Sequence, residues 1–187
     1  MRLFVPKKIV LIGASTGGPG QIQRIVNSLP KLNDTTVVVA QHMVTGFIYS
    51  FADRFQNTNN SISVVENNQP FENNNIYICE SETKLTNNNF SKKSTSINSY
   101  NPNIDILFNS FISLAKDTQI LCVILTGIGN DGVEACRNLS LNGARCITES
   151  ERSAIVDGMP SRARLLVPNI ETYDISEIVT IISEFCE

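Results

Sequence analysis

Three side chains in this sequence have the types that nucleophilic hydrolysis needs: Ser15, His42 and Asp131. A serine hydroxyl is a poor nucleophile until a base removes its proton. His42 is the sole histidine, and imidazole is the side chain suited to exchange that proton near neutral pH. An aspartate bonded to the far ring nitrogen sets the tautomer and stabilises the imidazolium that forms. Preorganised N–H groups must then hold the negative oxygen of a tetrahedral intermediate. The Thr16 N–H, directly after the serine and ahead of a helix, is one candidate donor. The Gly127-Ile128-Gly129 loop offers a second.

Each residue also has a plainer reading. Ser15 lies in Gly13-Ala14-Ser15-Thr16-Gly17, a Gly-x-Ser-x-Gly pattern that an ordinary turn serine would equally satisfy. His42 reads as a hydrogen-bonded histidine at a strand end. Asp131 reads as the cap of the helix after it, with Glu134 three residues on completing a capping box. What sets the three apart is their common position. Each follows a short apolar run: Ile9–Ile12, Val37–Ala40 and Leu121–Leu125. Such runs are the pattern of strands buried on both faces. In open parallel sheets, ligands collect outside the carboxyl ends of the strands.

The elements between these runs fit that architecture. Pro19 suits a first helical turn, and Ile22, Ile25, Val26 and Leu29 follow at helical spacing before Pro30. Phe47, Phe51 and Phe55 mark the inner stripe of a second helix. Ile104, Leu107, Phe108, Phe111 and Leu114 predict a third. A fourth runs from about Gly132 to Asn142, leaving through Gly143, and Ile175, Ile178, Val179, Ile182 and Phe185 predict a closing one. Further strands are expected at 61–65, 76–79 and 144–148. The alternation predicts right-handed βαβ crossovers and an α/β fold. This is a doubly wound, mostly parallel sheet flanked by helices, with a short antiparallel hairpin extension. Asparagine triplets at 73–75 and 87–89 read as hairpin tips and surface loops. Residues 81 to 99 are expected to form partly mobile edge hairpins without chemistry.

Composition narrows the function further. The 187 residues fit one domain. They are 42% hydrophobic and 18% charged, with a formal net charge of −3, so a nucleic-acid surface is not the default. No apolar run is long enough to span a bilayer, and no early segment resembles a secretion signal. Five cysteines, in odd number and without a two-residue gap, read as reduced core thiols of a cytoplasmic protein. Neither a metal nor a cofactor is expected.

Taken together, Ile12-Gly13-Ala14-Ser15-Thr16-Gly17-Gly18, Gln41-His42-Met43, Gly46-Phe47, Leu125-Thr126-Gly127-Ile128-Gly129-Asn130-Asp131-Gly132 and Gly158-Met159-Pro160 resemble the catalytic domain of the bacterial chemotaxis protein-glutamate methylesterase (CheB). The segments span nearly the whole chain, in order. The Ser, His, Asp order departs from that of α/β-hydrolases. The resemblance implies hydrolysis of glutamyl γ-methyl esters on the cytoplasmic helices of methyl-accepting chemoreceptors, releasing methanol, with deamidation of certain glutamines as a second activity. It gives Ser15 the nucleophile's place, His42 the base's and Asp131 the orienting acid's. It gives the Thr16 and Ile128 N–H groups the oxyanion-hole places, and puts Met159 in the cleft lining. Four departures fall on the substrate-facing rim: Ile128 replaces a usual methionine, and Val44 and Thr45 replace two prolines. Cys79-Glu80-Ser81-Glu82 replaces a Pro-Gly-Asp segment, and Asn101-Pro102 an Arg-Pro pair. The family's usual form begins with a phosphorylatable receiver domain, whereas only residues 1–14 precede Ser15 here. The expectation is a stand-alone, monomeric esterase spanning residues 1–187, not gated by phosphorylation in cis.

Two other readings compete. Gly13–Gly18 ahead of a helix could cradle a phosphate, although the Gly-x-Gly-x-x-Gly spacing fails and no P-loop lysine follows. A non-catalytic adaptor that keeps the fold only for receptor docking is the other, and the intact Ser15, His42 and Asp131 argue against it.

Overall fold

The computed structural model describes residues 5–44, 46–57, 59–94 and 100–187. In chain order the first half runs β1 (Lys8–Ala14), α1 (Gly18–Ser28), β2 (Thr35–Gln41), β3 (Met43–Val44), α2 (Ile48–Ala52), β4 (Ser61–Val64), β5 (Asn75–Ile78), β6 (Glu82–Thr86) and β7 (Asn89–Lys93). The second half runs β8 (Tyr100–Asn101), α3 (Ile104–Asn109), β9 (Gln119–Ile124), α4 (Val133–Leu141), β10 (Arg145–Glu149), α5 (Gly158–Leu166), β11 (Glu171–Tyr173) and α6 (Ile175–Cys186). Seven strands make one sheet in the order β11-β10-β9-β1-β2-β5-β4, every neighbouring pair parallel. The β6–β7 hairpin and the short β3–β8 pair are antiparallel additions.

The apolar run Ile9–Ile12 of β1 follows from its place at the centre. Successive side chains point to opposite faces, and both faces are covered. Ile9 and Leu11 pack with Leu107 and Phe108 of α3 and Leu139 of α4. Val10 and Ile12 pack with Ile22 and Ile25 of α1, Phe51 of α2 and Ile178 of α6. Each fully buried aliphatic side chain of this kind contributes about 1.5–3 kcal/mol, so the central strands form a rigid mount for whatever leaves their ends.

Local departures from the sequence pattern have local causes. The apolar stripe from Ile104 to Leu114 is broken after Asn109, and a short 3₁₀ turn covers Ile112–Leu114. Ser110 makes the break: its hydroxyl donates to Leu107 O at 2.5 Å and accepts Leu85 N–H at 2.8 Å, fastening the β6–β7 hairpin to α3. The phenylalanine stripe is shorter than its spacing suggests. Helix α2 has five residues, and Phe47 precedes it at 64% exposure while Ile48 and Phe51 turn inward. Asn73-Asn74-Asn75 does not tip a hairpin, because β4 and β5 are parallel; Asn87 and Asn88, both at positive φ, do tip β6–β7. Helix α5 and strand β11 had no clear periodic signal, being short and, in α5, opened by Gly158 and Pro160. Thr45 and residues 95–99 of the expected hairpin region lie outside the described residues. No helix among those described is long and apolar enough to cross a membrane.

Candidate active site

Ser15, His42 and Asp131 leave one edge of the sheet from three adjacent strands: β1, β2 and β9. Where β1 ends, the Ser15 N–H donates to Thr126 O at 3.0 Å, tying the serine to the end of β9. The chain then turns through Gly17, in the left-handed region at φ 85°, into α1. On the other side, the His42 N–H donates to Ala14 O at 2.9 Å. The side-chain amide of Gln41 donates to both Ser15 O (2.9 Å) and His42 O (2.8 Å). A single buried amide thus couples the backbones that carry the hydroxyl and the imidazole. Gly18 makes room for it, since a Cβ there would stand 2.1 Å from Gln41 Oε1. Gln41 belongs to the Gln41-His42-Met43 segment of the resemblance, but nothing in that segment points to a role for its side chain.

His42 and Asp131 meet. The imidazole Nε2 and Asp131 Oδ2 are 2.6 Å apart, with the side chains 15% and 23% exposed. The carboxylate is anchored further by the start of α3, where Ile104 N–H donates to Oδ2 at 2.8 Å and Asp105 N–H to Oδ1 at 2.9 Å. Asp131 does not cap the helix after it: Gly132 holds that position, and α4 has no side-chain cap. Burial raises the Asp131 pKa, but the bond from His42 and the two N–H groups outweigh it and hold the carboxyl below its ordinary value. Neighbouring Asp105 shifts the other way. Burial raises it most, an N–H bond from Ala135 lowers it, and the Asp131 charge adds to the rise.

The hydroxyl side is open. Among the described residues Ser15 Oγ has no hydrogen-bond partner, and neither the Thr16 nor the Ile128 N–H has an acceptor. The residue before Ile128 is committed on both sides. Gly127 N–H donates to Val156 O (3.0 Å), and Gly127 O accepts Met159 N–H (2.8 Å). Gly127 has no space for a side chain: a Cβ would stand 2.3 Å from Met159 Sδ and 2.7 Å from Ser15 Cβ. Met159 is fully buried and supports this loop from within, while the Ile128 side chain is 65% exposed.

One further residue reaches the same loop. Glu149, at the end of β10, is wholly buried and accepts the Thr126 N–H at 3.0 Å. No apolar-run signal separated it from the polar Ser150-Glu151-Arg152 that follows. The five cysteines are all free and buried. The sulfurs of Cys122, Cys136 and Cys146 lie within 4.8 Å of one another, and among the described residues no histidine or carboxylate joins them.

A family model described as CheB methylesterase matches residues 10–182. The chain belongs to the CheB methylesterase family. The crystal structure of the Thermotoga maritima CheB methylesterase catalytic domain superposes with a TM-score of 0.80 at 29% identity, covering 95% of this chain and 97% of that one. A relative from Carboxydothermus hydrogenoformans, named protein-glutamate methylesterase/protein-glutamine glutaminase 2, is 34% identical over 84% of this chain and 47% of its own length. One from Oceanobacillus iheyensis, protein-glutamate methylesterase/protein-glutamine glutaminase, is 36% identical over 84% of this chain and 47% of its own. The chain therefore spans about half the length of these CheB relatives.

Proposed function

We propose that this chain is a serine esterase that hydrolyses glutamyl γ-methyl esters on chemoreceptor helices, releasing methanol. The observation that carries the reading is the His42–Asp131 bond at the same sheet edge as Ser15, beside two N–H groups that have no acceptor among the described residues. With Nε2 engaged by Asp131, Nδ1 is the nitrogen left to take the Ser15 proton. The reading requires a side-chain rotation that joins hydroxyl to ring. Ser15 Oγ attacks the ester carbonyl as Nδ1 takes the proton. The Thr16 and Ile128 N–H groups receive the oxyanion, and Asp131 stabilises the imidazolium. The ring proton passes to the departing methoxide, leaving an acyl-serine. Water, deprotonated at Nδ1, then releases the glutamate carboxylate and restores Ser15. The same steps with ammonia as leaving group deamidate a glutamine, matching the second activity in the relatives' names.

The reading makes the protein cytoplasmic, with receptor helices as its partner, and treats residues 1–187 as one catalytic unit acting as a monomer. Its test is methanol release from methylated receptor membranes. Ser15→Ala should abolish release, a loss of at least about 10³-fold, while circular dichroism stays unchanged. Undiminished turnover would refute the assignment. Receptor binding by the wild type with no turnover at all would leave a docking role instead.

A further inference from the structure

Glu149 is a carboxylate in an unfavourable place. It is wholly buried, and among the described residues its carboxylate has no ion-pair partner. Arg164 instead binds the Glu149 main-chain oxygen (2.9 Å) and Asp157 (2.5 Å). Burying a carboxylate without a counter-ion is costly, and an apolar side chain of similar volume would fill the space without that cost. What the carboxylate does is accept three neutral donors. Gln21 Nε2 of α1 (2.6 Å) and Ser153 Oγ (2.7 Å) reach Oε1, and the Thr126 N–H (3.0 Å) reaches Oε2.

Thr126 is the joint between the two loops that matter. Its carbonyl accepts the Ser15 N–H at 3.0 Å. Its hydroxyl donates to Thr16 O at 2.9 Å and accepts the Val156 N–H at 2.8 Å. Two residues on stands Ile128. A shift of Thr126 therefore moves the serine, the Thr16 N–H and the Ile128 N–H together. We infer that Glu149 is a positioning residue: it touches no substrate, but by fixing Thr126 against α1 it sets the alignment of nucleophile and oxyanion donors. The inference rests on the esterase reading.

The chemistry of the network supplies its own control. Gln21 Oε1 is buried without a partner. In Glu149→Gln, the new amide oxygen can keep Thr126, and its NH₂ can donate to Gln21 once that amide turns over. Glutamine can therefore hold both Thr126 and Gln21 without the charge, and its second N–H can meet Ser153 Oγ, which would lose its acceptor there but also takes the Ile175 N–H; methionine, of similar length, can hold none of them.

The experiment compares wild type, Glu149→Met, Glu149→Gln and Ser15→Ala in receptor demethylation. A fluorophosphonate probe that labels an activated serine is run alongside. Glu149→Met is expected to lower kcat about 10–100-fold, the size of a small misplacement of reacting groups and less than outright loss of an oxyanion donor, with KM within about threefold and slower labelling of Ser15. Glu149→Gln is expected to recover kcat to within about fivefold. If Glu149→Met fails to fold, the glutamine variant decides: a fall as large as that of Ser15→Ala in a folded protein overturns the inference. Full kcat and labelling rate in a folded methionine variant also overturn it. An active Ser15→Ala would instead bring down the esterase reading itself, so the two failures are distinguishable.

Discussion

Asp131 and Glu149 are two carboxylates behind the same rim, and they are held in opposite ways. Asp131 is partly exposed, and an imidazole and two helix-start N–H groups face it; its pKa falls below the ordinary 3.8 despite the cost of burial. Glu149 has as many hydrogen bonds but, among the described residues, no charged partner. Burial dominates there and its pKa rises above the ordinary 4.5, even though Ser153, Thr126 and Gln21 pull it down. Hydrogen-bond number does not separate them. Depth and the presence of a group able to become a cation do. One carboxylate is equipped to answer a charge that appears on its neighbour; the other is equipped to hold backbone still.

The sharpest way to break this contrast is Asp131→Asn. The amide keeps the shape but cannot stabilise an imidazolium, so kcat for ester hydrolysis should fall by about 10³–10⁴. A loss under tenfold would mean that Asp131 only caps α3. A smaller effect concerns stability against pH. Because the folded Asp131 value is lowered, its contribution is full above 3.8 and lost as pH falls through the folded value. Because the folded Glu149 value is raised, its contribution is present below 4.5 and lost as pH rises through the folded value. Urea midpoints measured across that range should flatten on the acid side in Asp131→Asn and on the rising side in Glu149→Gln. Parallel curves for both variants and wild type would erase the distinction. The smallest effect on catalysis is expected at a third carboxylate, Glu80, which holds Lys92 at 2.5 Å on the hairpin, the pair only 12% and 17% exposed. Lys92→Met should cost about 1.5–3 kcal/mol in denaturant titration, with kcat of the folded protein within about twofold. A large fall in kcat would tie the hairpin to the rim.

This contrast also marks what the sequence could reveal. Ser15, His42 and Asp131 were legible because each follows an apolar run, and the end of a buried parallel strand is a place physics singles out. The buried strands and the helices with long apolar stripes were legible for the same reason of periodicity. Glu149 also ends a strand, but it opens a polar stretch, and one sequence cannot distinguish a buried carboxylate from a solvated one. Gln41 was hidden similarly, since its work lies in two carbonyls that only the fold brings together. The break in α3 depends on a hydroxyl accepting from a distant hairpin, a contact with no local signature. The plainer reading of Asp131 as a cap had the right chemistry and the wrong helix: the carboxylate does meet helix-start N–H groups, those of α3.

The order of the sheet has a consequence for durability. Ser15, His42 and Asp131 follow β1, β2 and β9, the three middle strands, while β4 and β11 form the outer margins. Fraying and local unfolding begin where a strand has one neighbour rather than two. Thermal breathing at either margin can thus come and go, and sequence there can drift, without unseating the atoms that would carry out the reaction.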